Sequence, residues 1–340
     1  MVSTGQPQAA ATPDLAVSTT AESEAPAPKI SWVWHLLNFS PALLLVWFVS
    51  RFSVKIPVLD EWWLSYVFHA VRLGTATFND FFAQHNEHRL FFPRLIWTSL
   101  AFATGWNIKA ELALNVLLVV IVFAIVYQIA LRQAQRIGSA LFNLANLSSS
   151  LFIFSLTQYE TWLLGVMGAV LLVHASVAFA IGVCFIQRLH PWTRFVLAAV
   201  FCFVASFSMM QGLASWIALL PCITLLPKES RSGRKLYLWC FLFASSVVIY
   251  FCHFRFSPGR DILRFLHHPL QAGGFFVALM GNSFCQSDAI VSGPIALVTG
   301  AAILLGLGAY VTMLRGESKE IIAPWLSLAL FGFFYAAMVT

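Results

Sequence analysis

Long apolar runs, one after another from Ser31 to Thr340, constrain this chain more than any motif within it. A helix needs about 20 apolar residues to cross a bilayer. Runs bounded by charge or turn residues fall at 33–50, 111–131, 138–156, 163–187, 194–209, 212–227, 236–253, 289–314 and 321–340. The expectation is an all-α, polytopic membrane protein with about nine transmembrane helices and no large soluble domain between them. Composition agrees: 59% of residues are hydrophobic and 10% charged, against about a quarter charged in an ordinary soluble domain. So little polar surface cannot cover a water-soluble globule.

The charges that remain carry topology. Lys and Arg number 20 against 14 Asp and Glu, but the cations fall in short clusters between apolar runs, so nucleic acid is not an expected partner. Arg132 with Arg136, Arg188 with Arg194, the stretch from Lys228 to Lys235, and Arg315 with Lys319 all fall on one side of the alternating runs. By the positive-inside rule that side is the cytoplasm. The other face then carries 51–110, a turn near 157–162, a reversal near Gln211 and Gly212, and 254–288. Within the first of these, 60–74 and 90–104 mix aromatic and aliphatic residues with polar ones at helical spacing, as helices lying in the membrane interface do.

Residues 1–30, rich in Ala, Thr, Ser, Pro and Glu, read as a disordered tail, and 31–340 as one transmembrane domain. The six cysteines, Cys184, Cys202, Cys222, Cys240, Cys252 and Cys285, have no ligand-like spacing and read as small buried hydrophobes. His174 stands alone in an apolar run, where an interior hydrogen bond is its ordinary role. Trp216, Trp239 and Trp325 read as packing or lipid-interface residues.

Chemistry concentrates in the first outer segment. It contains Asp60-Glu61-Trp62-Trp63 and, further on, Gln84-His85-Asn86-Glu87-His88-Arg89 followed by Phe91-Phe92-Pro93-Arg94. Ionisable groups pressed against a bilayer by tryptophan and phenylalanine are costly, which makes function the first hypothesis for them. His85 and His88, three apart with Glu87 between, share a face on a helix, but no further spaced ligand supports a zinc site.

An acidic pair just after the first run, an interfacial helix ending near Gly74, a polar cluster, and a helix containing Pro93 before the second run together resemble the GT-C class of membrane glycosyltransferases. This class includes the protein O-mannosyltransferases and aminoarabinose transferases, which use polyprenyl-phosphate sugars. The resemblance covers residues 33–131 and is architectural beyond them. Where those relatives usually carry Pro-Pro-Leu, this chain has Phe92-Pro93-Arg94-Leu95. They also usually continue past the point where this chain stops, so a short or truncated member is the expectation.

The resemblance implies sugar transfer from a polyprenyl-phosphate donor to a glycan, lipid or protein acceptor, on the outer face of a bacterial inner membrane or an equivalent compartment. It implies Asp60 as the general base, with Glu61 holding it or a metal. Glu160, in the second outer turn, matches in place a loop where some members put a second acid, so Asp60 and Glu160 are candidate ligands of a divalent Mg or Mn ion. His85, Glu87, His88, Arg89, Arg94, Arg255, Arg260 and Arg264 are candidate substrate-binding residues, the arginines because a guanidinium suits a lipid phosphate. Two rival classes stay open. A transporter or flippase of lipid-linked saccharide would place ionisable groups inside the runs, and a non-catalytic scaffold would leave the polar cluster without a reason.

Overall fold

The computed structural model describes residues 30–132, 134, 138–225, 233–256, 264–282, 289–313 and 319–339. All but the last residue of the expected tail lie outside these, as do Arg136, Lys228, Arg260, Cys285 and Arg315. Among the described residues the chain is helical apart from one two-residue hairpin. It is an integral, multi-pass, all-α membrane protein.

The first helix, α1 (Trp32–Phe52), starts at Ser31, whose hydroxyl accepts from the Val33 N–H. A 3₁₀ segment (Leu59–Leu64) and α2 (Ser65–Arg72) follow, then α3 (Phe78–Phe82), the strands β1 (Gln84–His85) and β2 (His88–Arg89), and α4 (Phe91–Thr104). Next come α5 (Ile108–Leu131), α6 (Ser139–Ile153), the short α7 (Tyr159–Leu163), α8 (Gly168–Cys184) and α9 (Pro191–Ser206). A 3₁₀ turn (Met210–Leu213) leads into α10 (Ala214–Ala218) and α11 (Leu220–Thr224). The rest is α12 (Gly233–Phe251), α13 (Arg264–His267), α14 (Pro269–Gly281), α15 (Ala289–Met313) and α16 (Lys319–Val339).

Seven helices among the described residues are long and apolar enough to cross a membrane: Trp32–Phe52, Ile108–Leu131, Ser139–Leu163, Gly165–Cys184, Gly233–Phe251, Gly293–Tyr310 and Ile321–Val339. The expected spans at 194–209 and 212–227 fall on the shorter apolar stretches Pro191–Ser206 and Met210–Thr224. At 1.5 Å per residue, α9 is about 24 Å long, less than a hydrocarbon core of about 30 Å. A third short apolar helix, α14, lies in the stretch expected to be an outer segment.

Two apolar cores organise the bundle. In one, α8, α9, α10, α11 and α16 pack through Ala180, Ala198, Ala205, Ala214, Ala218, Cys184, Cys202 and Cys222. The smallness of these residues lets backbones approach closely, the usual basis of helix association in lipid. Gly212 marks the extreme, since a Cβ there would lie 1.8 Å from the Ala205 carbonyl oxygen. In the other core, Leu45 of α1, Leu112 and Phe123 of α5 and Phe142 of α6 meet. Three cysteines are buried as expected, whereas Cys240 and Cys252 are exposed.

The segment between α1 and α5 leaves and rejoins spans on one face, and its longest helix is the 14-residue α4. That face also gathers the three other connections. Gly165 donates its N–H to Glu61, Phe92 donates its N–H to the Phe207 carbonyl at 3.3 Å, and Arg89 bonds the end of α12.

Candidate functional site

Successive residues in a 3₁₀ helix point about 120° apart, so the 3₁₀ segment splits the acidic pair. Asp60 is exposed, while Glu61 is 1% exposed and turned into the bundle. The Glu61 carboxylate accepts from the Val58 N–H at 2.7 Å and, with its other oxygen, from the Gly165 N–H. Both Glu61 oxygens are thus held by backbone, and the first outer segment is fastened to the lead-in of α8.

Beside it stands Glu111 of α5, which is 2% exposed and has no hydrogen-bond partner on either carboxylate oxygen. The point a Cβ of residue 165 would occupy lies 2.6 Å from a Glu111 oxygen and 2.9 Å from a Glu61 oxygen. The two carboxylates therefore face each other across the space of one methyl group, and glycine at 165 keeps that space open. Carboxylates so close and so dry are stable together when a proton or a cation stands between them. One turn along α5, Asn115 donates to the Leu164 carbonyl at 3.2 Å and fills the place beside Gly168.

Glu111 was not among the residues singled out from sequence. The available signal was an acid within an apolar run with an asparagine four residues on, which puts two costly polar groups on one face of a spanning helix.

On the outer side of the 3₁₀ segment, Trp63 organises a second group. The Arg94 guanidinium lies 4.2 Å over its ring, and the His85 ring lies 4.2 Å from it on centroids. Arg94 is 0% exposed. Its Nη1 donates to the carbonyls of Asp80 at 3.2 Å, Phe81 at 2.8 Å and Ala83 at 2.6 Å, closing the C-terminal end of α3. Its Nε and Nη2 have no partner; these form the side of a guanidinium that receives carboxylate or phosphate in pairs. Burial pushes Arg94 down to about 10, opposed by Tyr66 and Asp80, so it stays cationic at neutral pH. His85 is pushed below its usual value by burial and then by Arg94, with Asp60 opposing. The His85 imidazole thus lies within the fields of both the exposed Asp60 carboxylate and the buried Arg94 guanidinium.

The remaining sequence candidates hold the structure together or stand apart. Arg89, 4% exposed, donates from Nε to the Tyr250 carbonyl at 2.5 Å, from Nη1 to Phe82 at 3.1 Å, and from Nη2 to Cys252. It caps the end of α12, as a cation at a helix C-terminus does. His88 accepts from the Met210 N–H at 3.4 Å. The Glu87 carbonyl accepts from the Tyr250 hydroxyl at 2.8 Å, and Arg255 donates its backbone N–H to Gln84 at 2.9 Å with its side chain exposed. Arg264 is the first residue of α13, and Arg260 lies outside the described residues.

Glu160 is exposed in α7, within 3.4 Å of the Tyr159 hydroxyl. A hard divalent ion takes oxygen ligands. Asp60 and Glu160 are both exposed, on two connections joined through Glu61 and Gly165. Among the described residues no three His, Cys, Asp or Glu side chains gather as a metal ion would require. No protein family, curated protein or solved structure matches this chain.

Proposed function

We propose that the chain is a membrane glycosyltransferase of the GT-C kind, which moves a sugar from a polyprenyl-phosphate donor to an acceptor hydroxyl on the outer face of a bacterial inner membrane or an equivalent compartment. The observation that carries this reading is the splitting of the acidic pair: Glu61 anchors the segment, and Asp60 is left exposed with its charge felt by His85. Asp60 takes the acceptor's hydroxyl proton. The acceptor oxygen forms its bond to the anomeric carbon as the bond from that carbon to the phosphate oxygen breaks, and polyprenyl phosphate leaves as an anion. Positive charge on Arg94 and Arg255 favours that departure. Where a divalent ion assists, Asp60 and Glu160 are its ligands, and it supplies further charge neutralisation.

Mass spectrometry of polyprenyl-phosphate sugars and envelope glycans, with and without the gene, tests the reading. One donor lipid is expected to accumulate and one glycan substituent to vanish when the gene is removed. An unchanged profile of both sinks it.

A transporter reading has one specific observation in its favour: Asn38 of α1 and Asn143, Asn146 and Ser150 of α6 are buried polar side chains within spans that pack together. Polar groups inside spanning helices are what a carrier uses. Loss of a glycan together with accumulation of its donor on the cytoplasmic leaflet would favour transport over transfer.

A further inference from the structure

Between α2 and α4 lies a cleft of about 410 Å³ lined by Phe68, His69, Arg72, Ala101, Phe102, Gly105 and Trp106. Its walls and its rim differ in chemistry. Phe68 and Trp106 meet edge to face at 5.0 Å, and Trp62 closes on Trp106 at 5.6 Å. Trp106 is held in the left-handed region at φ 56, directly after Gly105 at φ 67. That strained turn swings the indole back over α2. Its Nε1 is a buried donor without a partner. Phe102 is 52% exposed, a large apolar surface beside the opening.

The rim carries the Arg72 cation. His69 and Arg72 are three residues apart in the last turns of α2 and so share one face, and among the described residues no acidic one lines the cleft. Both helices belong to the segment that begins and ends at spanning helices on the same face, so the cleft opens at the level of the lipid headgroups. A phosphate with an apolar tail matches it: the headgroup charge meets Arg72 and His69, and the tail lies along Phe68 and Phe102.

We propose that this cleft binds the phosphate of an anionic membrane lipid. The proposal does not depend on the transfer reading, since it concerns lipid binding by α2 and α4 and requires no turnover. Phosphatidylcholine offsets its phosphate with a quaternary ammonium that Arg72 and the lack of an acid in the lining disfavour, and inorganic phosphate lacks the tail.

The test uses the purified full chain in a neutral detergent. Phosphatidylglycerol, phosphatidylcholine or inorganic phosphate is titrated while the thermal unfolding midpoint is followed. Phosphatidylglycerol is expected to raise the midpoint saturably, and the other two are not. Arg72→Gln is expected to weaken the apparent affinity about fivefold, the contribution of one cation near a lipid surface, and Arg72→Lys to keep most of it. Arg72 is exposed at the end of its helix, so the unliganded midpoints of these variants should match the wild type. An equal response to phosphatidylcholine, an equal response to inorganic phosphate, or an unchanged affinity in Arg72→Gln overturns the proposal.

Discussion

The first outer segment and the core of α8 to α11 with α16 are held by opposite means. The core is built from alanines and cysteines interleaved with larger apolar side chains such as Val173, Ile181, Phe195 and Trp216. Almost every atom of it contributes a little, and no one bond dominates. The outer segment has few long elements, and it is fixed by a handful of buried charged groups bonded to backbone: Glu61 and Arg89 reach distant parts of the chain, and Arg94 closes the segment on itself. Such bonds leave a neighbouring residue such as Asp60 free to face outward. A dense core cannot do that, because each of its side chains is needed to fill space.

Substitutions test the contrast, taken in decreasing order of their effect on folding. Gly212→Ala drives a methyl group into the Ala205 backbone. Overpacking of a tight core commonly costs about 1–3 kcal/mol, and more where backbone is struck. The expected result is little folded protein in detergent, read by size-exclusion recovery. Normal recovery would mean that the core gives way more easily than its packing implies.

Arg89→Ala leaves the carbonyls of Tyr250, Phe82 and Cys252 without their donor. A loss of roughly 2–4 kcal/mol follows from breaking buried charge-assisted bonds. Protease cutting is expected first between residues 83 and 90, with the core intact. Cutting spread evenly over the connections would show that the hairpin is not stapled separately.

Gly165→Ala pushes between the Glu61 and Glu111 carboxylates, with an expected cost of about 1–3 kcal/mol in the thermal midpoint. Glu111→Gln in the same background supplies an N–H donor where two acceptors faced each other. It should recover part of the loss if a proton bridged the pair, and none if a cation did.

The smallest effect on folding belongs to Asp60→Asn. Asp60 is exposed, so the midpoint should move by less than about 0.5 kcal/mol. Transfer should nevertheless fall by the roughly 10²–10⁴-fold that general-base catalysis supplies. A fully active variant would remove Asp60 as the base.

Asp80 adds a pH signature of the outer segment alone. Its carboxylate accepts from the Thr77 N–H at 2.7 Å and the Thr77 hydroxyl at 2.8 Å, and these two bonds, in that order, hold it below its usual value of 3.8. A depressed carboxylate stabilises the fold above its unfolded value, and the benefit disappears as pH falls through the folded one. The midpoint difference between wild type and Asp80→Asn should therefore be constant near neutrality and shrink as pH drops below about 4. A difference that grows on acidification would contradict the cap.

Spanning helices were legible in the sequence because length and hydropathy suffice to define them. The runs 194–209 and 212–227 have the composition of spans, and the structure gives them the shorter apolar stretches Pro191–Ser206 and Met210–Thr224. The Pro269–Gly281 helix was hidden by glycine and by polar neighbours on both sides. In the candidate site, the importance of the Asp60 and Glu61 pair was legible, but its division of labour was not. Only Gly165, 104 residues away, reveals which acid turns inward. Arg89 looked like a phosphate ligand because nothing local shows that its three bonds go to backbone carbonyls, two of them on the far side of the chain.

The Arg89 staple also sets an order of events during synthesis. Its partner Tyr250 lies 161 residues further along. At roughly 5–20 residues per second, the ribosome delivers Tyr250 about 10–30 s after Arg89 has emerged. Through that interval the guanidinium has no helix end to cap, and it stays in water or among headgroups. The outer segment is thus made early and finished late: the helices α5 to α11 are synthesised before the loop that carries Asp60 can close. A chain stalled before α12 would display this loop without the helix end that Arg89 caps.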